Sequence, residues 1–267
     1  MKILSKIYAA LVYIFLYAPI VVLIIFSFND TATYSRTVFS GFTLKWYKQL
    51  FQDRLILEAL RNTIIIAVVA AVVSTAIGTI AAIGINRMKK LPKRIMMTVT
   101  NIPMVNPDIV TGVSLMLLFV FAVNLLNLKS LGMVTLIIAH ITFCLPYVIL
   151  SVLPKLRQLP PNLYEAAQDL GCTPVQAFFK VVLPEIMPGI ITGMMMAFTL
   201  SIDDFVISYF CSGTTQTLPI YIYSMTRKRI SPEINALSTV LFAVILVLLI
   251  IINVRQSKET KKEGKDA

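Results

Sequence analysis

Two adjacent carboxylates, Asp203 and Asp204, lie in the stretch LSIDDFVIS, inside a long run of apolar residues. A third carboxylate, Asp108, lies in another apolar block. An aspartate at the centre of a membrane helix costs about 2.5–3.5 kcal/mol on insertion scales, so such residues are functional candidates by default. Because the apolar blocks hold no Lys or Arg that could neutralise these side chains, the chemistry that they suit is the binding of a cation.

The same carboxylates have a structural alternative. A hydrogen bond from Thr199, Ser201 or a partner helix would hold a buried aspartate that has no role in binding. The single histidine, His140, is the one basic side chain inside the apolar blocks and the possible partner of an aspartate. A polar side chain in a membrane helix commonly bridges neighbouring helices, so we expect His140 to pack between helices.

Long apolar blocks must position these residues. The 267-residue chain is 57% hydrophobic and 14% charged, whereas soluble domains are about 45–50% apolar and about 25% charged. Crossing about 30 Å of hydrocarbon takes about 20 helical residues, and the blocks lack the polar stripe of a soluble helix. We therefore predict an all-α membrane protein with six transmembrane helices: Ile7–Phe28, Asn62–Asn86, Ile95–Leu128, Ser130–Leu153, Pro188–Ser212 and Ile234–Val254.

The depth of the aspartates follows from the spans. The third block is too long for one straight helix, and we expect Pro103 and Pro107 to divide it into an entry segment and the spanning helix. At 1.5 Å per residue from the inner ends, Asp108 lies about 20 Å deep and Asp203 about 22 Å deep. Because neighbouring helical positions point about 100° apart, Asp203 and Asp204 cannot both face one spot in a regular helix. Either one lines the pathway while the other faces a neighbouring helix, or the helix is locally unwound.

The basic residues predict the orientation. The net charge of +11 does not indicate nucleic acid, because the basic residues flank the apolar blocks and form no patch beside aromatic residues. With both termini in the cytoplasm, most of the 24 Lys and Arg residues fall in inner segments, as the positive-inside rule requires. The run Arg227-Lys228-Arg229 falls outside and opposes this assignment.

Residues 1–254 are expected to form one transmembrane domain, followed by a disordered charged tail at 255–267 that has no apolar residues to bury. Residues 154–187 form an inner loop between the fourth and fifth helices. This loop is too long for a bare connection, so we expect it to have a structure and a function of its own.

The loop carries signals for two short helices. Asn162 is expected to cap the first helix, with Glu165 three residues later as in a capping box. Gly171 suits a helix C-cap or a tight turn. Thr173-Pro174 fits an N-cap followed by proline at the first position of the second helix, which we expect Pro184 to end.

The spacing of the loop residues resembles the EAA motif of the permease subunits of binding-protein-dependent ABC importers, which have the MetI-like fold. Valine at position 181 stands where isoleucine is common. In that family the loop forms coupling helices that dock in a groove of a cytoplasmic ATPase. The chain has no G-x-x-x-x-G-K-[ST] motif, so we expect ATP hydrolysis on a partner chain. The resemblance implies that the coupling residues are Glu165, Ala166, Ala167, Gly171, Leu183 and Pro184.

Further stretches are similar to the C-type permease of spermidine/putrescine importers: FTLKWYKQL, NPDIVTGVSL, AHITFCLPYVI, LSIDDFVIS and SPEINALST. The resemblance implies a subunit that moves polyamines across the cytoplasmic membrane by alternating access. It also implies three partners: a second, different permease, an ATPase dimer and an extracytoplasmic polyamine-binding protein. Polyamines are linear polycations, which the carboxylates suit. In the family, transport is tied to the positions of Trp46, Asp108, Ser201, Asp203 and Asp204.

Trp46 is the only tryptophan, in the outer loop before the second helix. One interpretation is an aromatic anchor at the membrane surface. The other is a cation–π contact with an amine of the substrate, or a contact with the binding protein.

Other functions stay open. We expect no cofactor and no metal site, since Cys144, Cys172 and Cys211 lack metal or disulfide spacing. An importer of the same architecture for another solute, such as ferric ion, is possible because carboxylates also bind metal ions. An intramembrane aspartyl protease would need two facing aspartates, such as Asp108 and Asp203, but would leave the EAA loop unexplained. The sequence therefore favours a transporter permease over an enzyme.

Overall fold

The computed structural model describes the backbone of residues 2–30, 39–125, 130–228 and 232–263. Within these ranges the chain forms helices and no strand, and an isolated bridge pairs Asn29 with Phe42. The helices are α1 Lys2–Ser27, α2 Lys45–Leu50, α3 Arg54–Arg87, α4 Lys90–Val105, α5 Asp108–Leu125, α6 Met133–Gln158, α7 Leu163–Asp169, α8 Pro174–Ala177, α9 Leu183–Asp203, α10 Val206–Cys211, α11 Leu218–Lys228 and α12 Pro232–Glu263.

Five helical segments among the described residues are long and apolar enough to span a membrane: Lys6–Ser27, Arg54–Arg87, Asp108–Leu125, Met133–Gln158 and Pro174–Asp203. The sixth predicted span corresponds to α12, whose described apolar stretch, Glu233–Val247, is shorter. The prediction of an all-α membrane protein with six apolar helices is therefore confirmed.

Proline divides the third apolar block at one of the two expected places. The helix α4 ends at Val105, and α5 begins at Asp108. Asn106 is extended, with ψ of 136°, because the residue before a proline avoids the helical conformation. Pro103, by contrast, lies inside α4, so the expectation that it also interrupts the block is wrong.

The last helix is longer than its apolar block. The charged tail was expected to be disordered from residue 255, yet α12 continues to Glu263. The added residues include Lys, Glu and Gln, which are good helix formers, so the helix extends beyond its apolar part. The final four residues of the tail lie outside the described residues.

The chain divides into two compact units, Met1–Ala59 with Tyr221–Ala267, and Leu60–Ile220. In the first unit, α12 packs against α1 and α2. In the second unit, the main packing is between α6 and α9, and α10 packs against α5 and α6.

Small residues bring α6 and α9 close together. A Cβ atom on Gly193 would lie 3.2 Å from the Cα atom of Val148, and one on Gly189 would lie 3.0 Å from the backbone oxygen of Ser151. Close backbone approach at small residues is the common way in which membrane helices associate. The buried core at this contact includes Cys144, Val148, Val152, Ile186 and Ala197. The candidate site lies further along the same two helices.

Candidate functional site

The helix that carries the paired aspartates is interrupted directly after the first of them. α9 ends at Asp203, and Asp204 is extended, with φ of −64° and ψ of 119°. α10 then begins at Val206. The predicted single span Pro188–Ser212 is therefore two helices, and of the two geometries considered from the sequence, the structure has the locally unwound one.

Asp204 caps the helix that follows the interruption. Its carboxylate accepts hydrogen bonds from the backbone N–H of Ser208 at 2.8 Å and of Ile207 at 3.4 Å. Phe205 occupies the N-cap position and makes no side-chain cap hydrogen bond, so the Asp204 carboxylate, one residue earlier, satisfies amides that have no partner within the helix. The Asp204 side chain is only 6% exposed, so it faces the protein interior.

His140 of α6 joins the two sides of the interruption. Its Nδ1 lies 2.7 Å from the hydroxyl oxygen of Ser201 in α9, and its Nε2 lies 3.0 Å from that of Ser208 in α10. The Nε2 atom is also 3.7 Å from a carboxylate oxygen of Asp204. We call His140, Ser201, Asp204 and Ser208 the His140 clasp. The expectation that His140 packs between helices agrees with these contacts.

One arrangement of protons satisfies the contacts of the clasp. In it, the Ser208 hydroxyl donates to the Asp204 carboxylate and its oxygen accepts from the Nε2–H of His140. The Nδ1 atom then accepts the hydroxyl proton of Ser201. A neutral imidazole with its proton on Nε2 thus satisfies every polar group of the clasp.

Asp203 has a different environment from its neighbour. Its side chain is exposed, and so is that of Asp108 at the start of α5. Asp204 interacts electrostatically with both of them, so the three carboxylates form one acidic region. In the described part of the chain, the basic side chain that lies within 4 Å of one of these aspartates is His140, beside Asp204.

Ser201, a predicted pathway residue, is buried. Its exposed fraction is 2%, and its hydroxyl is engaged with His140. A pathway role for Ser201 stays a prediction. In this chain the contacts of Ser201 are those of a residue that holds the clasp.

Trp46 lies in α2, within the first unit. The indole N–H donates to the backbone oxygen of Asn29 at 2.8 Å. The ammonium of Lys45 lies 5.6 Å from the centre of the indole ring, a distance at which a cation is attracted to the ring. The ring therefore already accepts one cation from its own chain. Both interpretations of Trp46 stay predictions.

The inner loop of residues 154–187, for which a coupling role was predicted and which we call the coupling loop, contains α7 and a left-handed turn. Gly171 has φ of +89°, a conformation that glycine adopts without the cost paid by other residues. The N–H of Gly171 donates to the oxygen of Gln168, and that of Cys172 to the oxygen of Ala167. This pair of bonds is a Schellman motif, so the expectation of a helix C-cap at Gly171 is confirmed.

The expected capping box of α7 is absent. Asn162 occupies the N-cap position but makes no side-chain cap hydrogen bond. Its φ of −97° and ψ of 5° differ from the extended conformation in which a cap side chain reaches the next turn. The two prolines before it, Pro160 and Pro161, start a turn in which the N–H of Leu163 bonds to the oxygen of Pro160.

The second helix of the loop begins as expected but does not end there. The Thr173 hydroxyl accepts from the N–H of Gln176, and Pro174 follows it. The helix then continues through a π-helical turn, Phe178–Val182, into α9, so the expectation that Pro184 ends it is wrong. In a π-helical turn the backbone hydrogen bonds join residues five apart instead of four. This change of partners allows the helix to continue past the proline.

The exposed face of the loop includes residues that the motif does not contain. Glu165 and Ala166 are exposed, whereas Ala167 is buried and Leu183 packs against the core of α6 and α9. Sequence reasoning missed three large apolar side chains that are exposed here: Leu170 at 87%, Val175 at 66% and Phe179 at 59%. The sequence signal for them was the position of Leu170 before the Gly171 turn and of Val175 after it, in an otherwise polar part of the loop.

A cavity of about 370 Å³ lies beneath α7. The guanidinium of Arg87, at the end of α3, lies 5.4 Å from the ring centre of Tyr164 in α7. This contact joins the coupling loop to a third apolar helix, besides α6 and α9. The walls of the cavity are formed mainly by apolar residues, with polar groups at Asn86, Arg87 and Glu165.

The first unit contains two carboxylates that interact with each other, Asp53 and Glu233, and sequence reasoning missed them. The hydroxyl of Tyr221 donates to the carboxylate of Asp53 at 3.2 Å. Burial and the Asp53 charge raise the pKa of Tyr221 to about 12. Burial and Asp53 also raise the pKa of Glu233.

The basic run Arg227-Lys228-Arg229 opposes the predicted orientation. Arg227 lies over the ring of Tyr223 at 5.1 Å, and Arg229 is outside the described residues.

Comparisons with known proteins cover most of the chain. A family model described as "Binding-protein-dependent transport system inner membrane component" matches residues 74–257. The putrescine transport system permease protein PotI of Escherichia coli strain K12 is 41% identical over 237 residues, which are 86% of this chain and 83% of the relative. The spermidine/putrescine transport system permease protein PotC of Shigella flexneri is 37% identical over 256 residues, or 96% and 94% of the two chains.

Two solved structures resemble the fold. A chain of a bacterial ABC transporter involved in the import of the acidic polysaccharide alginate has a TM-score of 0.73 at 16% identity, covering 96% of this chain and 95% of that one. A chain of the inward-facing MetNI methionine ABC transporter has a TM-score of 0.56 at 18% identity, covering 79% and 98%. At such identities the likeness shows the fold alone.

Proposed function

The chain belongs to the family of binding-protein-dependent transport system inner membrane components, and on this premise we propose that it is a permease subunit of an ATP-driven polyamine importer. It is a multi-pass membrane protein and a transporter subunit, not an enzyme. The observation that carries the substrate class is the similarity, over most of the chain, to permeases named for putrescine and spermidine.

The acidic region supports a polycationic substrate. Two exposed carboxylates, Asp108 and Asp203, come from different helices, α5 and α9. No lysine or arginine forms an ion pair with them within the described residues. An amine that approaches them would gain two charge-assisted contacts. We assign the substrate contact to Asp203 and Asp108, and we assign to Asp204 the task of keeping the interruption in place.

Trp46 and Ser201 are given separate roles in this proposal. The Trp46 ring would offer a face to an amine of the substrate in place of Lys45. Ser201 would act through its hydrogen bond to His140 and so support Asp203 indirectly.

The coupling loop is proposed to dock into a cytoplasmic ATPase dimer. Its exposed residues Glu165 and Ala166, together with the apolar Leu170 and Phe179, would form the contact. Gly171 would give the turn its shape, and Leu183 and Pro184 would join the loop to α9. Because α8, the π-helical turn and α9 are continuous, movement of the loop would reach Asp203 through one helix.

The remaining partners follow from the same family. We propose a second, different permease as the heterodimer partner and an extracytoplasmic polyamine-binding protein that delivers the substrate. Both termini are proposed to be cytoplasmic, with α2 and α11 outside. Substrate would then pass between alternating inward and outward conformations of the two permeases.

One assay tests the function. The complete complex is reconstituted in proteoliposomes with its ATPase and binding protein, and uptake of labelled spermidine, putrescine and ferric ion is measured with and without ATP. We expect ATP-dependent uptake of a polyamine. Absence of polyamine uptake would overturn the substrate assignment, and uptake of ferric ion alone would establish the alternative solute.

A further inference from the structure

We propose that His140 is a positioning residue for transport, which holds the interruption between α9 and α10 and thereby directs the Asp203 carboxylate. The substrate that Asp203 meets rests on the function proposed above. The position of the interruption does not, because it follows from contacts within this chain.

The local sequence contributes the Asp204 carboxylate, which bonds amides at the start of α10, but it contains no residue that breaks a helix. Residues 200–210, LSIDDFVISYF, contain neither proline nor glycine. Sharp breaks in helices occur at Pro or Gly, at π-bulges, or where another side chain is inserted between turns. Proline, glycine and a π-bulge are all absent at this position, which leaves an inserted side chain as the explanation. His140 lies between Ser201 and Ser208, on the two sides of the break.

The contacts of His140 fit this role on both sides of the break. Ser201 and Ser208 are seven residues apart, which in an unbroken helix is two turns, or about 10.5 Å. One imidazole ring bonds both hydroxyls, at 2.7 and 3.0 Å. The interruption brings the two serines within reach of that ring, and the ring in turn resists the return to a continuous helix.

Burial makes the contacts hard to replace. His140 is 2% exposed, Ser201 is 2% exposed and Ser208 is 1% exposed. If the ring is removed, the hydroxyls of Ser201 and Ser208 each lose a hydrogen-bond partner that bulk water does not supply. A buried polar group without a partner costs free energy, so the chain is driven to rearrange at this point. Asp203, the residue next to the break, would move with it.

The experiment uses the full complex in lipid nanodiscs and measures hydrogen–deuterium exchange by mass spectrometry. We expect His140→Leu to raise deuterium uptake in the peptide that covers residues 204–211, where the amides of Ile207 and Ser208 bond to Asp204. Peptides that cover residues 186–197 of α9 should be unchanged. The matched control is Thr142→Ala, on the same helix, whose exposed hydroxyl bonds within α6 to Ile138.

A second measurement reports on Asp203 itself. In a chain with Cys144, Cys172 and Cys211 replaced by alanine, Asp203→Cys is labelled with a water-soluble cationic thiol reagent. We expect His140→Leu to change the labelling rate by at least about threefold, as coupled neighbouring residues do, and Thr142→Ala to leave it unchanged. His140→Asn and His140→Gln keep one polar contact each, so each should restore part of the change.

Transport kinetics separate positioning from general loss of structure. With Asp203 intact, His140→Leu should raise KM for the polyamine more than it lowers kcat, because the carboxylate is misdirected rather than lost. Unchanged exchange at 204–211 together with an unchanged labelling rate would overturn the role of His140. Since neither measurement uses substrate, a complex that transports no polyamine would refute the proposed function and leave this result standing.

Discussion

Asp203 and Asp204 are neighbours in the chain but face different surroundings: Asp203 is exposed, whereas the carboxylate of Asp204 is 6% exposed and lies 3.7 Å from the imidazole of His140. The helix ends between them, so the usual relation between adjacent helical positions does not apply. Asp203 is the residue that we propose for the substrate contact, whereas Asp204 bonds amides at the start of α10.

The two aspartates should therefore respond differently to substitution. Asp203→Asn should lower polyamine uptake by about 10- to 150-fold without lowering the thermal unfolding midpoint, because a hydrogen bond to a charged group contributes about 1.5–3 kcal/mol. Asp204→Ala should lower the unfolding midpoint, since the amides of Ile207 and Ser208 lose their acceptor and a buried donor left without a partner costs about 1–3 kcal/mol. Uptake in proteoliposomes and unfolding in detergent measure the two effects.

Glu58→Gln is the control for the loss of one negative charge, because Glu58 is exposed on α3, and it should change neither quantity. Full uptake by Asp203→Asn would contradict the assignment of the substrate contact to that residue.

Gly171 is expected to be needed for coupling rather than for insertion of the helices. The substitution Gly171→Ala places a side chain at φ of +89°, which costs about 1–2 kcal/mol, so the turn should shift. The ratio of ATP hydrolysed to polyamine transported should rise, with the amount of chain in the membrane unchanged. Gly84→Ala is the matched control, since an added Cβ there has open space. Equal ratios for the two variants would argue against a role of the turn in coupling.

The contact between Arg87 and Tyr164 is predicted to pass movement of the loop to α3. A cation–π contact at an exposed site is worth about 0.5–1 kcal/mol. Arg87→Ala and Tyr164→Leu should each reduce ATP-coupled uptake. The uptake of the double variant should be no lower than that of the less active single variant. Tyr164→Phe keeps the ring and should retain most of the uptake. Additive losses in the double variant would show that the two residues act separately.

Glu233 should make stability depend on pH in the first unit. Burial and the charge of Asp53 raise its pKa above the ordinary value of 4.5, so the folded chain binds this proton more readily than the unfolded chain. Stability therefore rises as the pH falls through the window between the two pKa values. Glu233→Gln should raise the unfolding midpoint at pH 7, and the gain should disappear below pH 4.5. A lower midpoint for this variant at pH 7 would contradict the expectation.

Trp46 gives a test that distinguishes its two interpretations. Trp46→Phe keeps an aromatic face but loses the hydrogen bond to the backbone of Asn29. Trp46→Leu loses both. If an amine of the substrate contacts the ring, KM for the polyamine should rise more in Trp46→Leu than in Trp46→Phe. Equal KM values in both variants would favour the anchor at the membrane surface.

Several features of this protein were predictable because their causes are local. Long uncharged blocks must be helical in lipid, where every backbone group needs a partner within its own segment. Pro107 excludes the helical conformation of the residue before it, and Gly171 supplies the left-handed turn, so the sequence predicted both positions correctly. The family followed from the spacing of the EAA residues.

Other features depended on residues far apart in the chain. The sequence could not show which aspartate is exposed, because His140 acts on Ser201 and Ser208 from 61 and 68 residues away. It could not show that the helix continues past Pro184, since a π-helical turn compensates there, or that Asn162 makes no cap bond. Composition and spacing thus determined the class of protein, its helices and its coupling loop. The tertiary structure decided which side of the break each aspartate faces, because His140 of α6 bonds Ser201 of α9 and Ser208 of α10.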